Sequence, residues 1–109
     1  MQQHYLANEQ ISAFASSLVR AERTPATIEK YLRSVRAFFL YLDGRPVTKD
    51  AVVAWKEHLQ SVGGYSPSTV NASLAAINDL FTFLGWPDCR AHYLKVQHRL
   101  FRDAGQELG

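Results

Sequence analysis

Two short runs of hydroxyl residues around a proline recur in this chain, and residues of these types can bind phosphate. The first run is Thr24-Pro25-Ala26-Thr27-Ile28, and the second is Ser66-Pro67-Ser68-Thr69-Val70, at an offset of 42 positions (66 minus 24). Serine or threonine followed by proline is typical of a helix N-terminus. Backbone N–H groups at such an end, together with nearby hydroxyls, donate hydrogen bonds to phosphate oxygens. The repeat therefore predicts two similar helices with anion-binding ends.

The faces that these two helices turn away from their apolar stripes carry small, hydroxyl and basic residues. Steps of 100° per residue place on the outer face of the first repeated helix Ala26, Thr27, Lys30, Arg33, Ser34 and Ala37. On the second they place Ser68, Thr69, Ala72, Ala75, Ala76 and Asp79. Small residues allow a close approach to a large partner, and lysine or arginine neutralises phosphate. Local capping explains the hydroxyls equally well, so residue types alone leave both interpretations open.

Other candidate chemistry finds little support in the residue pattern. Asp50 and Glu57 are seven positions apart on one helix, but neither has a partner base. His92 and His98 are six apart, which is not the i, i+4 spacing of a helical metal pair. Cys89 is the only cysteine and is typical of inert packing, and Gly63-Gly64 lacks the further glycines of a phosphate loop. We therefore expect no catalytic residue, no metal site and no cofactor in this chain.

Four helices position these residues. Asn8 is predicted to cap a first helix that reaches about Ala21 and buries Ile11, Phe14, Ala15, Leu18 and Val19. The second should run from Thr24 to Leu42, with Ile28, Leu32, Val35, Phe39 and Leu42 on one face, and end at Asp43-Gly44-Arg45-Pro46. The third should begin at Thr48, bury Val52, Trp55, Leu59 and Val62, and stop at Gly63-Gly64. The fourth should run from Ser66 through Leu74, Ile77, Phe81 and Leu84 to Gly85-Trp86-Pro87.

Two apolar pairs should fix the starts of the third and fourth helices. Val47 with Val52, and Tyr65 with Val70, occupy the positions of a hydrophobic staple, one residue before the cap and one in the first turn. No segment alternates apolar and polar residues for long enough to form a strand. The predicted fold class is therefore all-α.

Composition indicates one ordinary globular domain. The chain has 109 residues, of which 47% are hydrophobic and 20% charged, and its formal net charge is +2. This length is sufficient for a core without disulfides, and the single cysteine excludes a disulfide framework. A mild positive charge permits a nucleic-acid partner without requiring one. No apolar run approaches a membrane span and no signal peptide is evident, so we expect a cytoplasmic protein with no membrane partner.

The C-terminal segment is predicted to differ from the helical domain. We place the domain at residues 1–87 and treat residues 88–109 as a basic linker or a fifth helix. The segment mixes basic residues with apolar ones that fit a single helical face poorly. An extended linker and a helix therefore both remain open.

The repeated helices resemble a known family. Two runs of residues carry the resemblance: Thr24-Pro25-Ala26-Thr27 with Tyr31, Leu32, Val35, Phe38, Phe39 and Leu42, and Ser66-Pro67-Ser68-Thr69-Val70-Asn71 with Leu74, Ile77, Leu80, Phe81 and Leu84. Together they are similar to the N-terminal core-binding domain of phage-type integrases, the tyrosine recombinases. The resemblance covers about Ile11 to Trp86, and the run from Tyr93 to Phe101 resembles the basic linker that leads to the catalytic domain. It implies a SAM-like bundle of four to five helices that clamps duplex DNA during integration and recombination in phages and other mobile elements.

The resemblance also implies a set of DNA contacts and partners. The implied DNA-binding residues are Thr24, Ala26, Thr27, Lys30, Arg33, Ser34, Ser66, Ser68, Thr69, Asn71, Ala72, Lys95 and Arg99. The implied partners are double-stranded DNA, a catalytic domain of the same polypeptide and other recombinase protomers on DNA. Relatives often carry arginine or lysine in the fourth helix, where this chain has Ala72, Ser73 and Ala75, so contacts there should be steric more than ionic.

The family's catalytic residues are missing from this chain. They include a tyrosine nucleophile and a His-x-x-Arg pair, and none of the four histidines here is followed by arginine three places later. We therefore expect a DNA-binding fragment that is not itself an enzyme, from a protein whose full length would be a tyrosine recombinase. The alternative is an α-helical protein-interaction domain with an aromatic patch drawn from Phe38, Tyr41, Trp55 and Phe83. Of these, Trp55 is expected to pack in the core and Phe38 to flank the apolar stripe, whereas Tyr41 and Phe83 are expected to be exposed.

Overall fold

The two halves of the sequence repeat become the two longest helices of the protein. In the computed structural model, which describes residues 3–95, α1 spans Asn8–Arg20, α2 spans Pro25–Leu42, α3 spans Lys49–Ser61 and α4 spans Pro67–Leu84. A short 3₁₀ turn, Pro87–Cys89, follows α4. Residues 3–95 contain no strand, and the only β-type pairing among them is one antiparallel bridge between His4 and Val47. The prediction of an all-α bundle is confirmed.

The helix starts follow the local rules that predicted them. The Thr24 hydroxyl accepts a hydrogen bond from the Thr27 N–H (3.2 Å), and the Ser66 hydroxyl accepts one from the Thr69 N–H (3.3 Å). Thr48 caps α3 in the same way, through the Ala51 N–H (3.0 Å). Each cap supplies an acceptor to one of the first-turn N–H groups that a helix cannot satisfy internally.

α1 begins differently from the prediction. Its cap is Ala7 and not Asn8, and the Gln10 side chain accepts a hydrogen bond from the Ala7 N–H (2.7 Å). Asn8 is the first helical residue. A glutamine three positions after the cap accepts from the cap residue's own N–H, which is one of the two bonds of a capping box.

α4 is the central helix, because α1, α2, α3 and the 3₁₀ turn all pack against it. Phe38 of α2 lies at the centre of the core, 5.1 Å from the Trp55 ring of α3 and 6.2 Å from the Phe81 ring of α4. All three side chains are buried. Tilted and edge-on contacts of this kind suit the charge distribution of aromatic rings and add to the free energy of burial. This trio joins the three helices that surround the candidate site.

Several predictions about individual core residues were wrong. Val19 and Val62 were expected in the core but are 63% and 74% exposed. Val19 lies one step beyond Leu18 at the edge of its stripe, and Val62 comes after the last residue of α3. Ala76 was expected to face outward but is buried, because α4 has neighbours on more than one side.

The predicted staples have different outcomes. Val47 and Val52 are both buried at the start of α3, as expected. Tyr65, by contrast, is 51% exposed, and its ring lies against Gly63, where an added Cβ would come within 2.8 Å of the ring. Gly63 therefore admits the Tyr65 ring, which any larger residue there would displace.

The segment after α4 remains in contact with the helices. Residues 90–95 are not helical, and Ala91 is buried against the core. Whether a helix or a linker follows is a question about residues 96–109, which lie outside the described residues. Within residues 3–95, no helix has both the length and the apolar character that crossing a bilayer would require.

Candidate functional site

The outward faces of α2 and α4 come together along one surface groove. The predicted site residues that line it are Lys30, Arg33, Ser34, Ser68, Thr69 and Ala72. Side chains of α3 and the following loop complete its wall, namely Trp55, Leu59 and Tyr65. Residues that are 42 positions apart in sequence thus form a single concave surface between the middle of α2 and the N-terminal half of α4. Four other predicted residues do not line it, namely Thr24, Ala26, Thr27 and Ser66.

Small residues allow α2 and α4 to approach closely at this groove. The Ser34 hydroxyl donates a hydrogen bond to the Ser73 hydroxyl (3.3 Å), and both side chains are half-buried. Ala37 and Ala72 also line the groove. Side chains that end at Cβ leave the backbones accessible to a large partner, as expected from the sequence.

The groove has a positive charge. Lys30 and Arg33 are exposed cations in its wall, and no carboxylate is among the described residues that line it. Glu29 approaches Arg33 with an N–O distance of 3.5 Å, but both side chains are more than 70% exposed. Exposed pairs of this kind are weak, so Arg33 can exchange this partner for a ligand anion at little cost.

The hydroxyls at the two helix starts are used first for capping. The Thr24 hydroxyl donates to the Thr27 hydroxyl (2.9 Å), and the Ser66 hydroxyl donates to the Thr69 hydroxyl (3.1 Å). The two interpretations of these residues are compatible, because a hydroxyl oxygen has a second lone pair and the helix end has further N–H groups. Among residues 3–95, the N–H groups of Ala26 and Ser68 have no hydrogen-bond acceptor. These exposed, equivalent positions are available to an anion.

Asn71, one of the predicted site residues, is hydrogen-bonded to the segment that follows α4. Its side-chain amide donates to the Leu94 carbonyl (2.9 Å) and accepts from the Leu94 N–H (2.7 Å). Asn78, two turns later on α4, makes the same pair of bonds to Ala91, at 3.0 and 3.2 Å. Asn71 is therefore occupied by the chain itself, and Asn78 is a buried polar residue that sequence reasoning did not single out. Asparagines seven positions apart on one helix face were the signal that could have identified the pair.

Of the two basic residues predicted after α4, only Lys95 is among the described residues. Lys95 is exposed at the end of the described residues and does not line the groove. Arg99 lies outside the described residues. Before Lys95 the chain is also bound to α3, because the Lys56 ammonium donates to the His92 carbonyl (3.0 Å).

The aromatic patch of the alternative hypothesis does not form as expected. Phe38 and Trp55 are buried in the core, and Tyr41 is half-buried between the Arg45 guanidinium (5.0 Å) and the His58 ring (5.1 Å). Phe83 is 41% exposed, as expected, and its ring packs on Phe14 of α1 at 5.7 Å. Tyr41 and Phe83 therefore contact different helices and offer no shared surface with the other two residues.

Cys89 is buried, in agreement with a packing role. Burial, with a smaller effect of the neighbouring Asp88 carboxylate, raises the pKa of its thiol from 9.0 to about 11. The neutral thiol is therefore the favoured form at neutral pH, and a free thiolate nucleophile is disfavoured there.

Comparison with known proteins agrees with this geometry. A family model described as phage integrase, N-terminal SAM-like domain, matches residues 11–87. A solved structure described as the crystal structure of XerA recombinase superposes with a TM-score of 0.73 at 19% sequence identity, over 92% of this chain and 38% of that chain. At this identity the likeness shows a shared fold, and the chain spans well under half of that recombinase chain. No curated protein sequence matches the chain. Because the family model covers all four helices except the first turn of α1, the chain belongs to the phage integrase N-terminal SAM-like domain family.

Proposed function

We propose that this chain is a DNA-binding domain of a tyrosine recombinase, and that the groove between α2 and α4 contacts the backbone of duplex DNA. The observation that carries the proposal is the convergence of Lys30 and Arg33 of α2 with the capped first turn of α4 on one concave surface. Lysine and arginine side chains, helix N-terminal amides and hydroxyls are the groups that proteins use to bind phosphate.

The proposed contacts divide the site residues by role. Lys30 and Arg33 neutralise phosphates, and the Ala26 and Ser68 N–H groups donate to phosphate oxygens. Ser34, Thr69 and Ala72 line the groove, whereas Thr27 lies outside it. In the proposal these four residues set how closely the helices approach the DNA backbone and add hydroxyl contacts. Thr24 and Ser66 hold the helix ends in place, and Lys95 and Arg99 extend the basic path toward the rest of the polypeptide.

In this proposal the cutting and rejoining of DNA belong to a catalytic domain elsewhere in a longer polypeptide. The chain corresponds to 38% of the XerA recombinase chain, which leaves room for such a domain. Other protomers bound to the same DNA are proposed partners. The domain's task is then to hold the core site during integration or recombination.

The salt dependence of DNA binding tests the proposed interface. Each phosphate contact releases counterions, so log K falls with log salt by about 0.9 per contact. We expect Lys30→Ala and Arg33→Ala each to weaken binding to a generic duplex and to reduce the salt slope by about one. Fluorescence anisotropy of a labelled duplex over a series of salt concentrations measures both quantities.

Lys49→Ala is the matched control, because Lys49 is also an exposed helical cation but does not line the groove. It should leave the slope nearly unchanged. Equal slopes for the Lys30→Ala, Arg33→Ala and Lys49→Ala variants would refute the groove as the interface. An affinity that does not depend on salt would refute phosphate binding altogether.

A further inference from the structure

Three side chains of types that bind transition metals converge beside the 3₁₀ turn. They are His4, Asp88 and Cys89, whose donor atoms all lie within 4.8 Å of one another. The Asp88 carboxylate oxygen is 3.5 Å from His4 Nε2 and 3.9 Å from Cys89 Sγ. In a tetrahedral site with metal–ligand bonds of about 2.0–2.3 Å, neighbouring ligand atoms are about 3.3–3.8 Å apart. Small side-chain rotations would therefore bring the three atoms to the edge lengths of a metal site.

The backbone and a ring contact already hold these ligands. The His4 carbonyl accepts a hydrogen bond from the Val47 N–H (2.7 Å) in the antiparallel bridge. The His4 ring stacks on Trp86 at 4.4 Å with an angle of 14° between planes. The Cys89 N–H donates to the Trp86 carbonyl (3.1 Å), so Trp86 helps to position both residues. A site whose ligands are held in place loses less conformational entropy when it binds a metal.

The exposure of the three residues suits a site with one open position. Cys89 is 1% exposed, the His4 side chain 23% and the Asp88 side chain 71%. The sulfur thus lies at the buried end and the carboxylate at the solvent end. Water can complete a four-coordinate shell from the solvent side.

We propose that His4, Asp88 and Cys89 form a binding site for a divalent transition metal of the zinc class. Sulfur together with imidazole nitrogen favours zinc, cobalt or nickel over the hard cations magnesium and calcium, which prefer oxygen ligands. On binding, the S–H bond of Cys89 breaks, a metal–sulfur bond forms, and one proton passes to solvent. The metal undergoes no redox change.

The metal would join two segments that are distant in sequence. His4 precedes α1, and Asp88 follows α4, a separation of 84 positions (88 minus 4). A crosslink over so long a loop stabilises the folded state chiefly by restricting the unfolded chain. It would also fix the turn from which residues 90–95 depart. None of the three ligands lines the groove, so this inference does not depend on the proposed function.

Cobalt binding to the full chain tests the site directly. The purified protein is stripped of metal with a chelator, which is then removed, and Co²⁺ is added under reducing conditions. We expect one ion per chain, with a thiolate-to-cobalt charge-transfer band in the near ultraviolet and intense visible bands typical of four-coordination. Zn²⁺ should displace cobalt, release about one proton per ion and raise Tm.

Variants identify the ligands. Cys89→Ser should abolish the charge-transfer band, and His4→Gln and Asp88→Asn should each weaken cobalt binding by about tenfold or more. The last two side chains are partly or largely exposed, so they test the site even if the buried Cys89→Ser variant fails to fold. His92→Gln is the control, since His92 is exposed and its side chain is not in the cluster. Absence of a charge-transfer band in the unmutated chain, or unchanged affinity in His4→Gln and Asp88→Asn, would overturn the proposal.

Discussion

Glu22 shows how a single residue can hold the backbone in an unfavourable conformation. It follows α1 with a φ of 60°, in the left-handed region. Its N–H donates to the Val19 carbonyl (2.9 Å), and the next N–H, of Arg23, donates to the Leu18 carbonyl (3.2 Å). These bonds satisfy carbonyls at the helix end, but the side chain incurs a steric cost that glycine avoids.

Replacing Glu22 by glycine should therefore stabilise the domain. The left-handed conformation costs a non-glycine residue about 1–2 kcal/mol, and glycine's extra unfolded-state entropy offsets about 0.5–1 kcal/mol of the gain. We expect Glu22→Gly to raise the free energy of unfolding by about 0.5 kcal/mol. Urea denaturation followed by circular dichroism measures the change.

The matched control is Glu57→Gly, at an exposed position inside α3. There the same substitution should lower the free energy of unfolding by about 1 kcal/mol, because glycine disfavours a helix interior. Changes of opposite sign in the free energy of unfolding of the two variants would support a strained left-handed conformation at Glu22. A loss at position 22 as large as that at position 57 would contradict it.

Residues whose roles depend on near neighbours were the most predictable. Thr24, Thr48 and Ser66 cap their helices because a hydroxyl and an N–H three positions later meet whenever a helix starts there. The conformation of Asp43 was harder to predict from the sequence. The neighbouring Gly44 was the expected left-handed residue at the end of α2, yet both Asp43 and Gly44 adopt positive φ. Asparagine and aspartate tolerate this conformation better than most residues. The position of a glycine therefore does not by itself predict which residue at a helix end is left-handed.

At the scale of elements, α4 combines three roles along its length. Its N-terminal half supplies Ser68, Thr69 and Ala72 to the groove, and its centre fills the core with Leu74, Ile77 and other apolar side chains. A further face carries Asn71 and Asn78, which bind residues 90–95, the segment that follows the 3₁₀ turn. The sequence predicted one apolar stripe on α4, because the spacing of apolar residues along a single helix is visible in the sequence. The number of partners around a helix follows from the tertiary fold and was not predictable in the same way.

The buried asparagine of α4 should be important for stability. Asn78 is 4% exposed, and its amide satisfies both the N–H and the carbonyl of Ala91. Asn78→Ala removes both bonds and leaves two backbone groups unsatisfied in a buried place. We expect a loss of about 2–4 kcal/mol in the free energy of unfolding, measured by urea denaturation.

Two further substitutions serve as comparisons for Asn78→Ala. Asn71→Ala should cost less, about 1–2 kcal/mol, because Leu94 and Asn71 are half-buried and water can replace the lost bonds. Asn8→Ala, at an exposed residue whose side chain makes no capping bond, should change stability by less than about 0.5 kcal/mol. Similar losses at all three positions would show that the amide pairing is not the cause.

At the scale of the whole molecule, α4 couples the groove to the place where the chain leaves the domain. The helix that supplies half of the groove also binds Ala91 and Leu94 through its asparagines. Polypeptide that follows residue 95 therefore departs from a fixed position relative to the groove. The two faces of the candidate site were predictable as helix faces, whereas their meeting in one groove depends on how α2 crosses α4. The proposal that these faces bind DNA rests on the family resemblance and on the charge of Lys30 and Arg33.

The boundary placed after residue 87 can be tested by shortening the chain. A chain that ends at Pro87 loses the buried side chains of Cys89 and Ala91 and leaves the Asn78 amide without its partners. Relative to a chain that ends at Lys95, we expect a loss of about 3 kcal/mol or more, combining lost apolar burial with an orphaned amide. For a domain of this size that corresponds to a fall in Tm of about 10 °C or more by calorimetry.

Asn78→Ala in both chains identifies the cause of that loss. In the chain that ends at Lys95 the substitution breaks two hydrogen bonds, whereas in the shorter chain those bonds are already absent. Its cost should therefore be much smaller in the shorter chain, a non-additivity that a double-mutant cycle measures. Additive costs, or equal stability of the two chain lengths, would mean that residues 88–95 lie beside the domain without supporting it. Non-additive costs would extend the folded unit to at least Ala91 and make the segment after α4 part of the structure that supports the groove.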